Sequence, residues 1–271
     1  MYIVADIGGS KTRIAGCASL EQYDAPSKFD TSQDYREGIT RFCDAVRQTA
    51  GNRAIEAIAI GVPGPLSDNK RTIGEARHLP QWVGHELAGD IEKALSTRVF
   101  LENDTAQVGL GEAVYGAGMG APVVFYMTVS TGVNGVRIIG GAIDRGRAEM
   151  GGQYLDADGV QTLEDLISGT VISKRFGKPP KEVAKDDPVW EELAKITAVG
   201  VHNSILHWSP DRVVLGGSMF NEIGIPVESV ATHVKRIMKK FSSVPEIVHS
   251  TLKDEGGLWG GLALLRQGFK G

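Results

Sequence analysis

Cysteine is scarce in this 271-residue sequence, which contains only Cys17 and Cys43. Neither belongs to a CxxC or Cys/His spacing, so the sequence predicts no disulfide framework and no structural zinc site. Long apolar runs are also missing: the start MYIVADIGGS lacks the basic segment of a signal peptide, and no stretch could span a bilayer. We therefore expect a cytoplasmic protein that does not interact with a membrane.

An excess of basic residues is missing as well, since the formal net charge is −4. That balance argues against a nucleic-acid partner. Glycine, by contrast, is abundant, with 35 residues that often stand in pairs beside apolar runs. Such glycines are typical of tight turns and of loops that let a ligand approach the backbone. Because the length exceeds that of one typical compact core, we expect two lobes.

The order of predicted elements indicates an α/β fold. Residues 2–19 have the pattern of a β-hairpin around a Gly-Gly-Ser-Lys-Thr turn, and helical spacing follows over 34–50. Strand 55–66, helix 84–95 and strand 98–104 complete this half of the chain. Strands alternating with helices are typical of an α/β lobe.

The second half repeats the order of the first. A hairpin over 122–143 again encloses a small polar loop, and alternating helices and strands follow it. The segments are predicted as helices over 162–176, 188–207 and 226–241, a strand over 211–219, the short strand EIVHST and a terminal helix. The predicted domains are therefore an N-terminal lobe of residues 1–113, completed by the C-terminal helix 256–271, and a C-terminal lobe of residues 114–255.

Three small-residue loops follow predicted strands. They are the DIGGSKT stretch at 6–12, Ser130-Thr131-Gly132, and Gly216-Gly217-Ser218. The first is not a Walker A loop, because Ser10 rather than Gly precedes Lys11 and a strand rather than a helix follows. GLGEAVYG at 109–116 fails the Rossmann context for a similar reason. Two hairpin loops, one per lobe, suit the phosphates of a nucleotide, and the Gly-Gly loop suits its adenosine. A plain hairpin remains the alternative for the first loop alone.

Asn103 and Asp104 stand where a predicted buried strand ends and a helix begins. Both residue types are favoured helix caps, so capping explains them by itself. Their place at a strand end is, however, a preferred ligand position in α/β sheets. An aspartate there can accept a hydroxyl proton while the oxygen attacks a phosphoryl group.

Taken together, these segments resemble the ROK family of sugar kinases, in the actin/hexokinase-like ATPase superfamily. The resemblance covers nearly the whole chain, and its motifs come in the family's order. They are DIGGSKTRIAG, GVPGPL, HLPQW, LENDTAQVGLGEAVYGAG, VSTGVNG, AEMGG, LEDLISG and VVLGGSM. The resemblance implies two actin-like (ribonuclease H-like) lobes with a cleft between them.

The resemblance also implies roles for individual residues. Asp104 would be the catalytic base. The sugar would be bound by Asn103, Asp104, Glu149 and Glu164, with Gly64 and His78 in loops beside it. The phosphates would face Gly8, Gly9, Ser10, Lys11 and Thr12 and also Ser130, Thr131 and Gly132, and the adenosine would lie against Gly216 and Gly217. ATP would bring Mg²⁺, positioned by Asp6, and relatives suggest a homodimer.

The sequence departs from the family pattern where zinc is usually bound. Gly152 stands in place of the family's histidine, and Thr162 occupies the last position of the missing cysteine cluster. Losing these ligands together predicts that the protein has no structural zinc. The loop Ser130-Thr131-Gly132 also lacks the family's leading glycine. The resemblance thus leaves the choice of sugar open.

The predicted reaction is phosphorylation of a hexose hydroxyl, at O6, by Mg-ATP. Alternatives within the enzyme class are an N-acetylhexosamine or fructose kinase and a polyphosphate-using glucokinase. A different class is a non-catalytic sugar-binding sensor, against which Asp104 and the phosphate loops argue. The sequence begins directly at the first phosphate-loop strand, without the DNA-binding domain of the family's repressors. That start favours an enzyme over a regulator.

Overall fold

A computed structural model describes residues 1–144, 148–220 and 224–268. The chain divides into two compact units. Unit 1 comprises residues 1–111 and 254–271, and unit 2 comprises residues 112–253. Each unit contains one five-stranded sheet and its own hydrophobic core.

Ten strands and eight α-helices are found in the described ranges. The strands are β1 Tyr2–Ile7, β2 Lys11–Cys17, β3 Ser27–Asp30, β4 Ala57–Val62, β5 Arg98–Asn103, β6 Val123–Val129, β7 Val133–Ile139, β8 Ala142–Ile143, β9 Arg212–Gly216 and β10 Glu246–His249. The helices are α1 Tyr35–Ala50, α2 Leu87–Leu95, α3 Asp104–Tyr115, α4 Leu163–Ile167, α5 Gly169–Phe176, α6 Val189–Trp208, α7 Val227–Ile237 and α8 Gly256–Gly268.

The two sheets have the same topology. The order in unit 1 is β3-β2-β1-β4-β5, and the order in unit 2 is β10-β9-β6-β7-β8. In each unit the first strand pairs antiparallel with the second and parallel with the fourth. The third strand pairs antiparallel with the second, and the fifth parallel with the fourth. This confirms the predicted α/β fold class and the repetition inferred from the sequence.

Local sequence explains the best-defined helix of unit 1. Asp34 caps α1 by accepting a hydrogen bond from Glu37 N at 2.8 Å, and Gly51 ends the helix with φ +58°. Phe42 and Val46 lie one turn apart on its buried face. The helix thus begins and ends where its capping residues predict.

Helices α3 and α8 of unit 1 pack with almost no space between their backbones. A Cβ added at Gly260 would lie 1.7 Å from Gln107 O, and one added at Gly111 would lie 2.5 Å from Gly256 O. Buried Gln107 links α3 to its neighbours, because its Nε2 donates to Ala5 O at 3.0 Å and to Gly257 O at 2.8 Å. The glycines of α8 therefore permit a contact that positions α3 against β1.

The predicted bounds of two helices are wrong. The single helix predicted over 162–176 is two helices, because Ser168 is extended and caps α5 through its hydroxyl. Helix α7 ends at Ile237 rather than near 241, where Lys239 and Lys240 are exposed and have no apolar face to bury. The short strands β3 and β8 were not predicted, because β3 is mostly exposed and β8 has only two residues.

Within residues 1–144, 148–220 and 224–268, no helix combines the length and the hydropathy needed to cross a membrane.

Candidate active site

Three of the predicted segments meet at one edge of the unit 1 sheet. Strands β1, β4 and β5 are parallel and adjacent, so their carboxyl ends lie on the same side. The Gly8–Ser10 turn follows β1, Gly64 follows β4, Asn103 is the last residue of β5, and Asp104 comes directly after it. The carboxyl edge of parallel strands is the usual ligand position in such sheets.

Asn103 joins two of these segments. Its Nδ2 donates to Gly64 O at 3.1 Å, and its Oδ1 accepts from Ala106 N at 3.1 Å. The second bond caps α3, as the residue type predicts. Gly64 has φ +81°, and a Cβ there would lie 1.7 Å from Glu75 O. The loop after β4 can therefore lie this close to Glu75 O only because residue 64 is glycine.

Asp104 begins α3, and its pKa is raised. Burial is the main cause, and hydrogen bonds from the N–H and hydroxyl of Thr105 oppose it. The N–H of Thr105 lies 2.6 Å from Asp104 Oδ1. A carboxylate whose charge is poorly solvated holds a proton more readily than an ordinary aspartate. A carboxylate with a raised pKa is chemically suited to accept a proton during a reaction.

Asp6, on β1, is the second carboxylate of this edge. Burial raises its pKa to about 7, with further increases from the negative charges of Asp104 and Asp254. Arg13 lies 3.6 Å from Asp6 Oδ2 and lowers that pKa. Arg13 also binds Asp254 at 2.6 Å. Asp6 is therefore only partly neutralised by its arginine.

Arg13 and Asp254 were not predicted as site residues. Asp254 stands 241 positions after Arg13 in the chain. The alternation of β2 does place Arg13 on the same face as Lys11. No sequence signal could have found its pairing with Asp254.

The predicted residues of the first phosphate loop differ in their surroundings. Gly8 N donates to Lys11 O at 2.9 Å, which closes the turn. Lys11 Nζ forms an ion pair with Asp30 on β3, and Thr12 is buried with its hydroxyl 2.9 Å from Thr31 Oγ1. Only Gly8–Ser10 and Lys11 N therefore remain at the tip of the turn.

His78 lies beside the same turn. A Cβ added at Gly9 would lie 2.5 Å from His78 Cβ, so glycine permits the two loops to touch. The side chain of His78 is exposed. The structure thus brings together Asp6, Gly9, His78, Gly64, Asn103 and Asp104 on the carboxyl edge of unit 1.

Unit 2 brings together its two predicted loops in the same way. Strands β6 and β9 are parallel, with Thr128 opposite Gly216. Ser130–Gly132 follows β6, and Gly217 follows β9. Gly217 has φ +93°, and a Cβ there would lie 2.4 Å from Val129 O. The Gly-Gly loop is therefore packed directly against the base of the Ser130 loop.

Glu164 and Glu149 lie close to the second hairpin. Glu164 Oε2 accepts from Val133 N at 2.8 Å, and a Cβ at Gly132 would lie 2.7 Å from that oxygen. Exposed Glu149 accepts from Asn134 Nδ2 at 3.4 Å. The two carboxylates predicted to bind a sugar therefore contact the strand that follows the phosphate loop.

In residues 1–144, 148–220 and 224–268, no three His, Cys, Asp or Glu side chains are arranged to hold a metal ion. Mg²⁺ in kinases needs less, because one or two carboxylates and the substrate phosphates are enough. Asp6 fits that role: burial and the charges of Asp104 and Asp254 raise its pKa, and a cation beside it would favour its charged form.

Hydrogen bonds hold the segment from Gln153 to Thr162, which stands where the family's zinc ligands would lie. Tyr154 and Thr162 form an antiparallel bridge, and Leu163 N donates to Gln153 O at 2.8 Å. The side chain of Gln153 accepts from Asn203 Nδ2 at 3.2 Å on α6. The absence of zinc stays a prediction.

Comparisons with known proteins agree along the whole chain. The family model "ROK family" matches residues 2–268. A fructokinase of Pediococcus pentosaceus is 26% identical over 237 residues, covering 80% of this chain and 82% of the relative. A glucokinase of Thermotoga maritima is 26% identical, and the match covers 86% of both chains.

A solved structure shows the same fold. The ROK family glucokinase of Streptomyces griseus, in complex with glucose and AMPPNP, superposes with a TM-score of 0.83. It is 23% identical, and the match covers 98% of this chain and 99% of that one.

Proposed function

The chain belongs to the ROK family as a sugar kinase, and we propose that it phosphorylates a hexose hydroxyl, at O6, with ATP as donor. The family resemblance seen in the sequence is thereby confirmed, as is the actin-like fold. The observation that carries the proposed reaction is the position of Asp104, with its raised pKa, at the strand edge it shares with Asp6 and Asn103.

Each residue has a chemical task in this proposal. Asp104 takes the proton of the sugar hydroxyl as the oxygen attacks the γ-phosphate. Asn103 holds the sugar while its own side chain is oriented by Gly64 O and Ala106 N. Glu149 and Glu164 accept hydrogen bonds from sugar hydroxyls, and His78 and Gly64 lie in loops at the strand edge that carries Asn103 and Asp104.

The nucleotide side of the proposal uses the two hairpin loops and the Gly-Gly loop. The turn at Gly8–Ser10 with Lys11 N, and the loop Ser130–Gly132, face the phosphates, while Gly216 and Gly217 face the adenosine. Thr12 has no direct part in this proposal, because it is buried against Thr31. Asp6 would hold Mg²⁺ beside the phosphates. Arg13 neutralises only part of the charge of Asp6, which favours a cation there. When bound, the ion would neutralise charge on the transferred phosphoryl group.

The reaction should depend on pH through Asp6. Its pKa of about 7 means that it is protonated below that pH and negatively charged above it. We expect kcat/KM for Mg-ATP to be constant above about pH 8. Below the pKa of Asp6 it should fall, with a slope that approaches tenfold per pH unit. Steady-state rates from pH 5.5 to 9 at constant ionic strength and saturating sugar measure this.

Asp254 offers a matched variant for the pH experiment. Its charge raises the pKa of Asp6 and competes for Arg13, so Asp254→Asn should move the acid limb to lower pH. A profile that stays flat down to pH 5.5, or a limb that Asp254→Asn leaves in place, contradicts the role given to Asp6.

A screen of sugars against donors tests the proposed activity. Purified protein with Mg²⁺ is assayed with glucose, mannose, fructose, N-acetylglucosamine and N-acetylmannosamine, each with ATP or with polyphosphate. We expect ATP-dependent formation of a hexose 6-phosphate. Sugar binding without phosphorylation by either donor would identify a sugar sensor instead, and phosphorylation with polyphosphate alone would change the donor.

An N-acetylhexosamine is a second candidate substrate. A Cβ added at Gly152 would meet no atom within 4 Å, so this position has space that a histidine would fill. The screen distinguishes this candidate from glucose, since strict preference for glucose would contradict it.

The homodimer implied by the resemblance remains a prediction.

A further inference from the structure

Two residues at the start of helix α5 donate hydrogen bonds to the loop Ser130–Gly132. Gly169 N donates to Ser130 O at 2.7 Å, and Thr170 Oγ1 donates to Thr131 O at 2.7 Å. Two successive loop carbonyls are thus bonded to two successive residues at the start of α5. A Cβ at Gly169 would lie 2.8 Å from Ser130 O, so glycine is what permits this approach.

These two bonds determine where the neighbouring N–H groups point. In a trans peptide the C=O of one residue and the N–H of the next lie on opposite sides of the bond. The N–H groups of Thr131 and Gly132 therefore point away from α5. Neither donates to another group in the part of the chain that the structure describes. Two successive free N–H groups form a concave site for an anion.

The first hairpin of the chain repeats the arrangement. Gln33 Nε2 donates to Gly9 O at 2.9 Å, and Thr31 N donates to Ser10 O at 3.0 Å. By the same peptide geometry, the N–H groups of Ser10 and Lys11 point away from the β3–α1 connection. In both loops, one carbonyl is held by a backbone N–H and the other by a side chain.

We propose that Thr170 and Gln33 are positioning residues that orient the N–H groups of the two hairpin loops towards the phosphates of the nucleotide. The inference rests on the proposed function, because it takes the ligand of these loops to be ATP. Neither side chain touches the nucleotide. Each acts through the peptide bond that it holds, so its loss should weaken use of the nucleotide and leave sugar binding unchanged.

Thr170→Val is the main test, since it removes the hydroxyl and keeps the volume of the side chain. Without its donor, Thr131 O loses the bond that holds the 131–132 peptide, and Gly132 N–H is free to turn. We expect kcat/KM for ATP to fall about tenfold, with the Kd for the sugar alone within about twofold of the original. Steady-state kinetics and calorimetric titration with sugar measure both.

Two further variants separate positioning from mere stability. Thr170→Ser keeps the hydroxyl and should restore kcat/KM for ATP. Ser173→Ala removes a hydroxyl from the same helix that donates only to Gly169 O, at 2.8 Å, and should behave as the original protein. Melting temperatures are recorded for all three variants.

Each outcome decides the proposal. A Thr170→Val protein with unchanged kcat/KM for ATP overturns it, as does a Thr170→Ser protein that is equally impaired. A parallel loss of sugar affinity and melting temperature would show a structural role only. If the original protein phosphorylates no sugar, the proposed function fails instead, and the two failures are thereby distinguished.

Gln33→Leu gives the corresponding test at the first loop. Removing the amide frees Gly9 O, so kcat/KM for ATP should fall several-fold with sugar affinity retained. Ser32→Ala is the matched control, because the Ser32 hydroxyl donates to Glu37 Oε2 and not to the loop. Equal rates for Gln33→Leu and Ser32→Ala would exclude Gln33 from the proposal.

Discussion

Asp104→Asn should lower kcat by about 10²–10⁴-fold while leaving sugar affinity within a few-fold of the original. The substitution replaces the oxygen that would take the proton, but an asparagine oxygen can still accept the hydrogen bond from Thr105 N. The shape of the site and the start of α3 are therefore retained. Turnover at saturating sugar and Mg-ATP, together with calorimetric titration of sugar, measures the two quantities separately.

Asp44→Asn is the matched control for this experiment. Asp44 is exposed on α1 and pairs with Arg47, three residues along the helix, and such surface pairs contribute little. It should leave kcat and sugar affinity unchanged. If Asp104→Asn turns over as fast as Asp44→Asn, Asp104 is not the base, and the proposed mechanism must be abandoned.

Gly260→Ala should destabilise the protein by about 3 kcal/mol and lower its melting temperature by about 6–10 °C. The new Cβ would lie 1.7 Å from Gln107 O and 2.5 Å from Gln107 C, so backbone must move. Separating α8 from α3 also strains the bonds of Gln107 to Ala5 and Gly257. In an open helix position the same change would be favourable by up to about 1 kcal/mol.

Gly268→Ala supplies the comparison within the same helix. Gly268 is exposed at the end of α8, where the atoms nearest to an added Cβ belong to the ring of Phe100, 3.3 Å away. This variant should melt within about 2 °C of the original protein. Equal melting temperatures for the Gly260→Ala and Gly268→Ala proteins would contradict the close packing of α3 and α8.

Much of the site follows from patterns that are local in sequence. A buried strand followed by Asn103 and Asp104 predicts both a strand end and a helix start, and the structure has both. The hairpin turns at 8–10 and 130–132 are likewise defined by their small residues and flanking apolar runs. Such predictions succeed because the residues that cause a turn, a strand end or a helix start are neighbours in the sequence.

Other features depend on residues far apart in the chain. The pKa of Asp6 is raised by burial and then by the approach of Asp104 and Asp254. The pairing of Lys11 with Asp30 requires β3, which the sequence did not indicate. The break at Ser168 was missed because its apolar spacing continues across it. The break nevertheless matters, since it presents Gly169 and Thr170 to the loop after β6.

By itself, the sequence determined the α/β class, the repeated order of elements, the glycine loops and the carboxylate at a strand end. These follow from periodicity, capping and turn chemistry, which act over a few residues. Only the tertiary structure decided how Asp6 is charged, which carbonyls of the hairpin loops are held, and why α8 carries glycine at 260. Those properties arise from burial and close approach between distant segments, which no local pattern records.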